Sequence, residues 1–144
     1  KRHAPAVRAL VLLWPVTSAS SDWKSYALYG GERFLTAPLM KWMFGKYVSD
    51  PAQRGNDLMS PVRASAERLR GLPATLIVVA ENDILRDEGE AMGRRLDEAG
   101  VEVTTVRFNG VVHDWGMLNG FAALHPTRTL IRLVGSVLRD YLEK

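Results

Sequence analysis

The chain has no cysteine. Disulfides and thiolate metal sites are therefore excluded, and the composition fits a reducing compartment, with the cytoplasm as the expected location. It has no apolar run near the roughly 18 residues needed to cross a bilayer. It has no basic block either: 19 Lys and Arg are interspersed with 16 Asp and Glu, for a net charge of +3. Nothing in that pattern would track a phosphate backbone, so nucleic acid is not an expected partner. There is no internal repeat, no low-complexity tract and no opening methionine, which points to a start upstream of Lys1. Lys1, Arg2 and His3, with the apolar run that follows and TSAS at 17–20, have the outline of a secretory signal. Arg8 interrupts that run and Pro15 ends it early, which favours a buried strand. What is present is 144 residues, 47% hydrophobic and 24% charged, the make-up of one globular domain with enough chain for a core.

Residues 7–14 (VRALVLLW) are apolar without alternation, as in a strand buried on both faces. The Ser- and Thr-rich segment 16–26 reads as a loop. Thr36 can cap a helix over 36–47, with Pro38 tolerated in its first turn. Leu39, Met40, Trp42, Met43, Phe44 and Tyr47 make this helix apolar on more than one stripe, so it is covered twice or lines a cavity. Asp50-Pro51, Gly55-Asn56 and Ser60-Pro61 mark a long irregular connection, followed by a short helix over 64–69. A second apolar strand covers 74–80. Asp87 and Glu90 have capping-box spacing, opening a helix over 88–99 that buries Ala91, Met92, Leu96 and Ala99, with Gly100 as its left-handed stop. A third strand over 101–108 changes the parity of its apolar residues between Val103 and Val106, which calls for a bulge or burial on both faces. The last helix, 126–142, has Leu130, Val134, Val137, Leu138 and Tyr141 on one face and Arg128, Arg132, Arg139 and Glu143 on the other. Strand, long insert, strand, helix, strand, helix is α/β, with a right-handed parallel crossover and about three parallel strands. Parallel sheets are normally covered on both faces and run further, so the chain reads as the end of something larger.

Sites in open parallel α/β sheets lie beyond the carboxyl ends of the strands. Asp83 follows the second strand and His113 the third. A carboxylate that accepts from one imidazole nitrogen leaves the other nitrogen as a base, and this makes two thirds of a hydrolytic triad. Plainer roles compete for each residue. Asp83 could be a turn or cap residue, Glu81 a polar contact at the strand end, and Asp87 is already explained as a cap. His3 lies in a ragged terminus, and His125 before Pro126 reads as a helix cap. A metal held by Asp83, His113 and Asp114 would lack a second histidine at ligand spacing, and no cofactor is called for. The nucleophile is absent from this pattern. No G-x-S-x-G turn occurs, nor an H-G-G-G stretch for an oxyanion. Ser136 lies on the last helix, and Ser18, Ser20, Ser21, Ser25, Ser49, Ser60 and Ser65 lie in loops or the insert.

Residues 83–90 (DILRDEGE), 96–101 (LDEAGV) and 110–115 (GVVHDW), with LVLLWPVT at 10–17 and LMSP at 58–61, closely resemble the hormone-sensitive-lipase-like carboxylesterases of the α/β-hydrolase superfamily. The resemblance covers nearly the whole chain but only the C-terminal half of a family member. It implies a single partial α/β-hydrolase domain over 1–144, with Asp83 as triad acid and His113 as triad base. It also implies that the insert, about 18–51, is part of a cap over an acyl pocket. The family usually has proline where Ile84 stands and often glycine where Asp114 stands. In the family order of Ser, then acid, then His, the nucleophile and oxyanion donors belong to an N-terminal half not present here. The implied partners are a small ester and that missing half. The isolated chain is expected to be inactive and to self-associate through an exposed sheet edge or a domain swap, with the last strand, a pairing edge in the family, as an alternative contact. Two other readings stand beside this one: a non-catalytic binding or assembly module that retains the fold, and a doubly wound protein unrelated to esterases.

Overall fold

The computed structural model describes residues 7–48 and 50–143; the readings placed on Lys1–His3 and on Ser49 lie outside them. Three parallel strands, β1 (Ala9–Leu13), β2 (Ala74–Asn82) and β3 (Val103–Val112), form one sheet in the order β1-β2-β3. Ala9 pairs with Ala74 and Leu13 with Val78, while Thr75 pairs with Val103 and Ala80 with Phe108. β2 is therefore the central strand, and Leu76 to Ala80 are at most 1% exposed. Such a run has no polar face because both of its faces are covered.

The two faces carry different layers. Ile77 and Val79 pack under α4 (Arg86–Glu98), with Met92, Leu96, Ala99 and Val101. Leu76, Val78 and Ala80 pack with Trp14, Val111, Trp115 and Leu130 under α5 (His125–Leu142), to which Leu133, Val134 and Val137 contribute. α4 lies close on the sheet because it carries glycine where it touches. A Cβ on Gly89 would come within 2.7 Å of Val79 Cγ1, and one on Gly93 would collide with Thr105. Gly100, at φ +77°, ends the helix in the left-handed conformation that glycine adopts without a Cβ clash.

The third strand resolves the parity question. Val103 packs on the α4 side and Val106 and Phe108 on the α5 side, each half-buried, so the strand gives apolar residues to both layers. A bulge does exist, but further along: Ala80 faces Phe108 and Asn82 faces Val112. The strand runs to Val112 rather than ending at Phe108.

Three local readings need correction. The segment 16–26 is not all loop, since α1 (Lys24–Tyr29) begins within it. This six-residue helix has no side-chain cap, and its stability comes from Tyr26 packing on Leu35, Met40, Ile84 and Leu85. Short helices of this kind depend on tertiary contact rather than propensity. Asp87 does not cap α4: Leu85 occupies the N-cap position, Asp87 lies inside the first turn, and Glu90 faces Arg107 at 3.5 Å. The turn set by Asp83 starts the helix earlier than its capping spacing implied. His125 likewise is the first residue of α5, with Leu124 at the N-cap and no side-chain cap bond. Thr36 does cap α2 (Ala37–Tyr47), accepting from Leu39 N–H at 3.4 Å, and the short helix expected over 64–69 is α3 (Ala66–Leu69). α2 is covered on one side by the cluster around Met40 and Phe44, whereas Trp42, 60% exposed, and Tyr47, 78% exposed, stand out from it. Its open side lines an apolar groove of about 570 Å³ with Val16, Leu58 and Met59. No helix among the described residues is long and apolar enough to cross a membrane.

Candidate active site

β2 ends at Asn82, and the chain turns at once through Asp83, Ile84 and Leu85 into α4. Asp83 is 1% exposed. One carboxylate oxygen, Oδ1, accepts from the Leu85 N–H at 2.9 Å and so forms the turn itself. The other, Oδ2, lies 2.7 Å from His113 Nδ1. With the proton on Nδ1 donated to Asp83, Nε2 is left as the basic nitrogen. The acid turn has further tethers: Ser25 Oγ donates to Ile84 O at 2.5 Å, and Ser25 N–H donates to Asp87 at 2.9 Å. Arg86 closes the surface side by donating to Asp87 Oδ1, Tyr29 Oη and Glu81 O.

His113 enters from the bulged end of β3. Gly110, at φ +75°, makes the bend, and its N–H donates to Glu81 Oε2 at 2.7 Å. Glu81 is thus a polar contact at the strand end that joins the acid strand to the histidine loop. Asp114 has φ +59°, which explains a glycine preference at this position. Its Oδ1 lies 3.5 Å from His113 Nε2. Asp83 and Asp114 therefore flank opposite nitrogens of one imidazole and do not converge on a common ion. Among the described residues no group of three or more candidate ligands could hold a metal.

Aromatic rings support the histidine. Trp14, just past β1, has φ +38° and donates its N–H to Val78 O at 2.7 Å. Its ring meets His113 edge-on at 6.3 Å and Trp115 at 4.6 Å, and Trp115 in turn meets Phe108 at 5.3 Å. Two of the loop serines are engaged elsewhere: Ser18 Oγ accepts from Ser20 N–H, and Ser60 Oγ donates to Arg54 O.

Two residues escaped the sequence reading. Trp14 passed as one more apolar strand residue, and only its left-handed backbone turns it toward His113. Glu88 stands in the sequence reading only as one residue of the 83–90 stretch, yet it is 0% exposed. Its Oε1 accepts from Thr17 N–H at 2.7 Å and Ser18 N–H at 2.9 Å, while Oε2 is buried with no partner among the described residues. Burial pushes its carboxyl up to about 8, against the pull of the two N–H donors, with the Asp83 charge adding to the rise. Burial, with help from the Glu88 and Asp83 charges, also raises the Tyr26 hydroxyl. The signal for Glu88 was its spacing: it stands four residues before Met92 and eight before Leu96, on the buried stripe of α4.

A parallel sheet with an acid and an imidazole hydrogen-bonded beyond adjacent strand ends is the arrangement of the α/β hydrolases, and the model of an alpha/beta hydrolase fold family matches residues 1–117. The chain belongs to this family, among its hormone-sensitive-lipase-like carboxylesterases. It is similar to a thermostable esterase from Pseudomonas putida, with a TM-score of 0.94 and 45% identity over 96% of this chain and 44% of that one. It is also similar to carboxyl esterase 2 of the fungus Tuber melanosporum, with a TM-score of 0.91 and 31% identity over 98% of this chain and 47% of that one. An ethyl acetate hydrolase of Pseudomonas putida is 36% identical over 80% of this chain and 36% of its own length. The chain spans about two fifths of the length of the curated relatives it matches.

Proposed function

We propose that this chain is the acid-and-base portion of a serine carboxylesterase, one partial hydrolase domain whose insert 18–51 forms part of a cap. The observation that carries the reading is the 2.7 Å contact between His113 Nδ1 and the fully buried Asp83. A serine from the rest of the enzyme attacks the ester carbonyl as His113 Nε2 takes its proton. The tetrahedral adduct then collapses, and the imidazolium returns that proton to the leaving alcohol while Asp83 stabilises its charge. Water repeats the two transfers on the acyl-enzyme and releases the acid. The substrate is a small ester, in keeping with relatives named as an ethyl acetate hydrolase and as esterases. The exposed apolar side of α2 suits an acyl chain under a cap.

The chain alone is inactive in this reading, because a base without nucleophile and oxyanion donors lacks most of the rate enhancement. The test is p-nitrophenyl butyrate hydrolysis. The expected result is no turnover above buffer by the 144-residue chain, and turnover that His113→Ala abolishes once a segment carrying a G-x-S-x-G turn is joined to it. Turnover by the chain alone, lost in His113→Ala, would refute the fragment reading. A joined enzyme without activity would favour a non-catalytic binding or assembly module. With β1 and β3 at the two edges of the sheet, the isolated chain self-associates through an edge or a domain swap. Sedimentation at high concentration that shows only monomer would contradict this. The expected location is the cytoplasm.

A further inference from the structure

Among the described residues, Glu88 is the one fully buried carboxyl that the proposed hydrolysis does not use. It joins two segments some 70 residues apart. Oε1 accepts from the Thr17 and Ser18 N–H groups, and the Glu88 carbonyl accepts from Thr17 Oγ1 at 2.8 Å. Thr17 and Ser18 are each 2% exposed. They lie on the stretch that leaves β1 just after Trp14, the residue whose ring borders His113. On the other side, Glu88 is in the first turn of α4, directly after the turn that Asp83 forms with Leu85. Gly89 permits this approach, since a Cβ there would press into Val79 and come within 3.8 Å of Pro15. The clamp therefore connects the acid side of the pair to the backbone behind the aromatic wall of the histidine.

We propose that Glu88 is a positioning residue for the Asp83–His113 pair, a buried carboxyl that pins the chain leaving β1 against the helix carrying the acid turn. The consequence for catalysis rests on the proposed ester hydrolysis; the placement of the pair does not.

The carboxyl works in its neutral form. Oε2 has no partner among the described residues, and an ionised carboxylate buried with one oxygen unmatched is strongly disfavoured. The titratable groups facing it are Asp83 from the acid turn and Tyr26 from α1, and neither supplies a positive charge. A second negative charge beside Asp83 would strain the clamp from within. Alkaline pH, which ionises Glu88, thus loosens the turn that holds Asp83.

The test uses the 144-residue chain and no ester, so it is independent of the esterase reading, which stands or falls by the joined-enzyme assay. The readouts are the low-field Nδ1 proton resonance of His113, which reports its bond to Asp83, and the thermal midpoint from pH 6 to 9.5. Glu88→Gln keeps an acceptor oxygen and cannot ionise. It is expected to retain the low-field resonance and to lose the alkaline decline of the midpoint that the unsubstituted chain shows. Glu88→Ala is expected to lose the resonance while far-UV circular dichroism still reports a folded chain. A folded Glu88→Ala chain with an unchanged resonance overturns the proposal. So does a Glu88→Gln chain that declines with pH like its parent, or that fails to fold. Should Glu88→Ala not fold, Glu88→Gln alone decides between these outcomes.

Discussion

The acid turn and the histidine loop hold two partners of one hydrogen bond by different physics. Asp83 is set by polar tethers: its own turn to Leu85, the Ser25 hydroxyl on Ile84 O, and the Glu88 clamp on Thr17 and Ser18. His113 is set mainly by a stack of rings, Trp14 against Trp115 against Phe108, with a single carboxylate tether from Glu81 to Gly110. A directional network fixes the position of the carboxylate. A packed aromatic wall places the imidazole by shape and leaves its Nε2 facing Asp114 Oδ1 at 3.5 Å. The difference suggests that the histidine side depends on volume and the acid side on hydrogen-bond geometry.

The largest expected effect comes from emptying the wall. Trp115 is 1% exposed between Trp14 and Phe108, so Trp115→Ala should cost about 3–5 kcal/mol by urea denaturation. The ring-stack view requires this cost to exceed that of any single polar tether. Next comes the pH dependence of Glu88. Its folded-state value of about 8 lies above the ordinary 4.5, so the native state keeps a proton that the unfolded chain releases. Stability from this group is full below 4.5, falls as pH rises toward 8, and is lost above it, a change on the order of a few kcal/mol. Urea midpoints at pH 5 and pH 9 should diverge in the parent and converge in Glu88→Gln.

Smaller again is Ser25→Ala. It removes the hydroxyl that satisfies Ile84 O in a fully buried site and should cost about 1–3 kcal/mol. Its effect should appear in the Asp83 resonances and leave the tryptophan near-UV signal unchanged. Glu81→Gln weakens the Gly110 tether to a neutral contact and should cost about 1 kcal/mol or less. Here the His113 loop should show faster amide exchange while the acid turn does not. Arg68→Ala sets the floor. Its ion pair with Asp57 is 2.7 Å long, but the Arg68 side chain is 61% exposed, so the change should stay within about 1 kcal/mol and shrink in salt.

Much of this site was legible beforehand because it is built at strand ends. Continuous apolar runs located β1 and β2, and Asp83 stood three residues past the expected strand end at Ala80, although β2 in fact runs on to Asn82. His113 stood in the loop of Gly110, Val111 and Val112 expected after the third strand, which in the structure continues to Val112. The capping spacing of Asp87 and Glu90 misled, because a local pattern cannot reveal that Asp83 already starts the helix two residues sooner. α1 was missed for a similar reason: its six residues carry no cap and are stabilised by Ile84 and Leu85, about 58 residues away in the chain.

By itself, the sequence determined the three strands and the longer helices, their parallel order, and the placing of one acid and one imidazole just past neighbouring strand ends. These follow from periodicity and from the breaks that glycine and proline impose, which are local properties. Only the tertiary structure decided that Trp14 turns its ring to His113, that Val103 and Val106 serve opposite layers, and that Glu88 is buried with an unmatched oxygen instead of facing water. Each of these depends on what another segment brings within contact distance, and for Glu88 the dielectric around the group, more than its residue type, sets its charge.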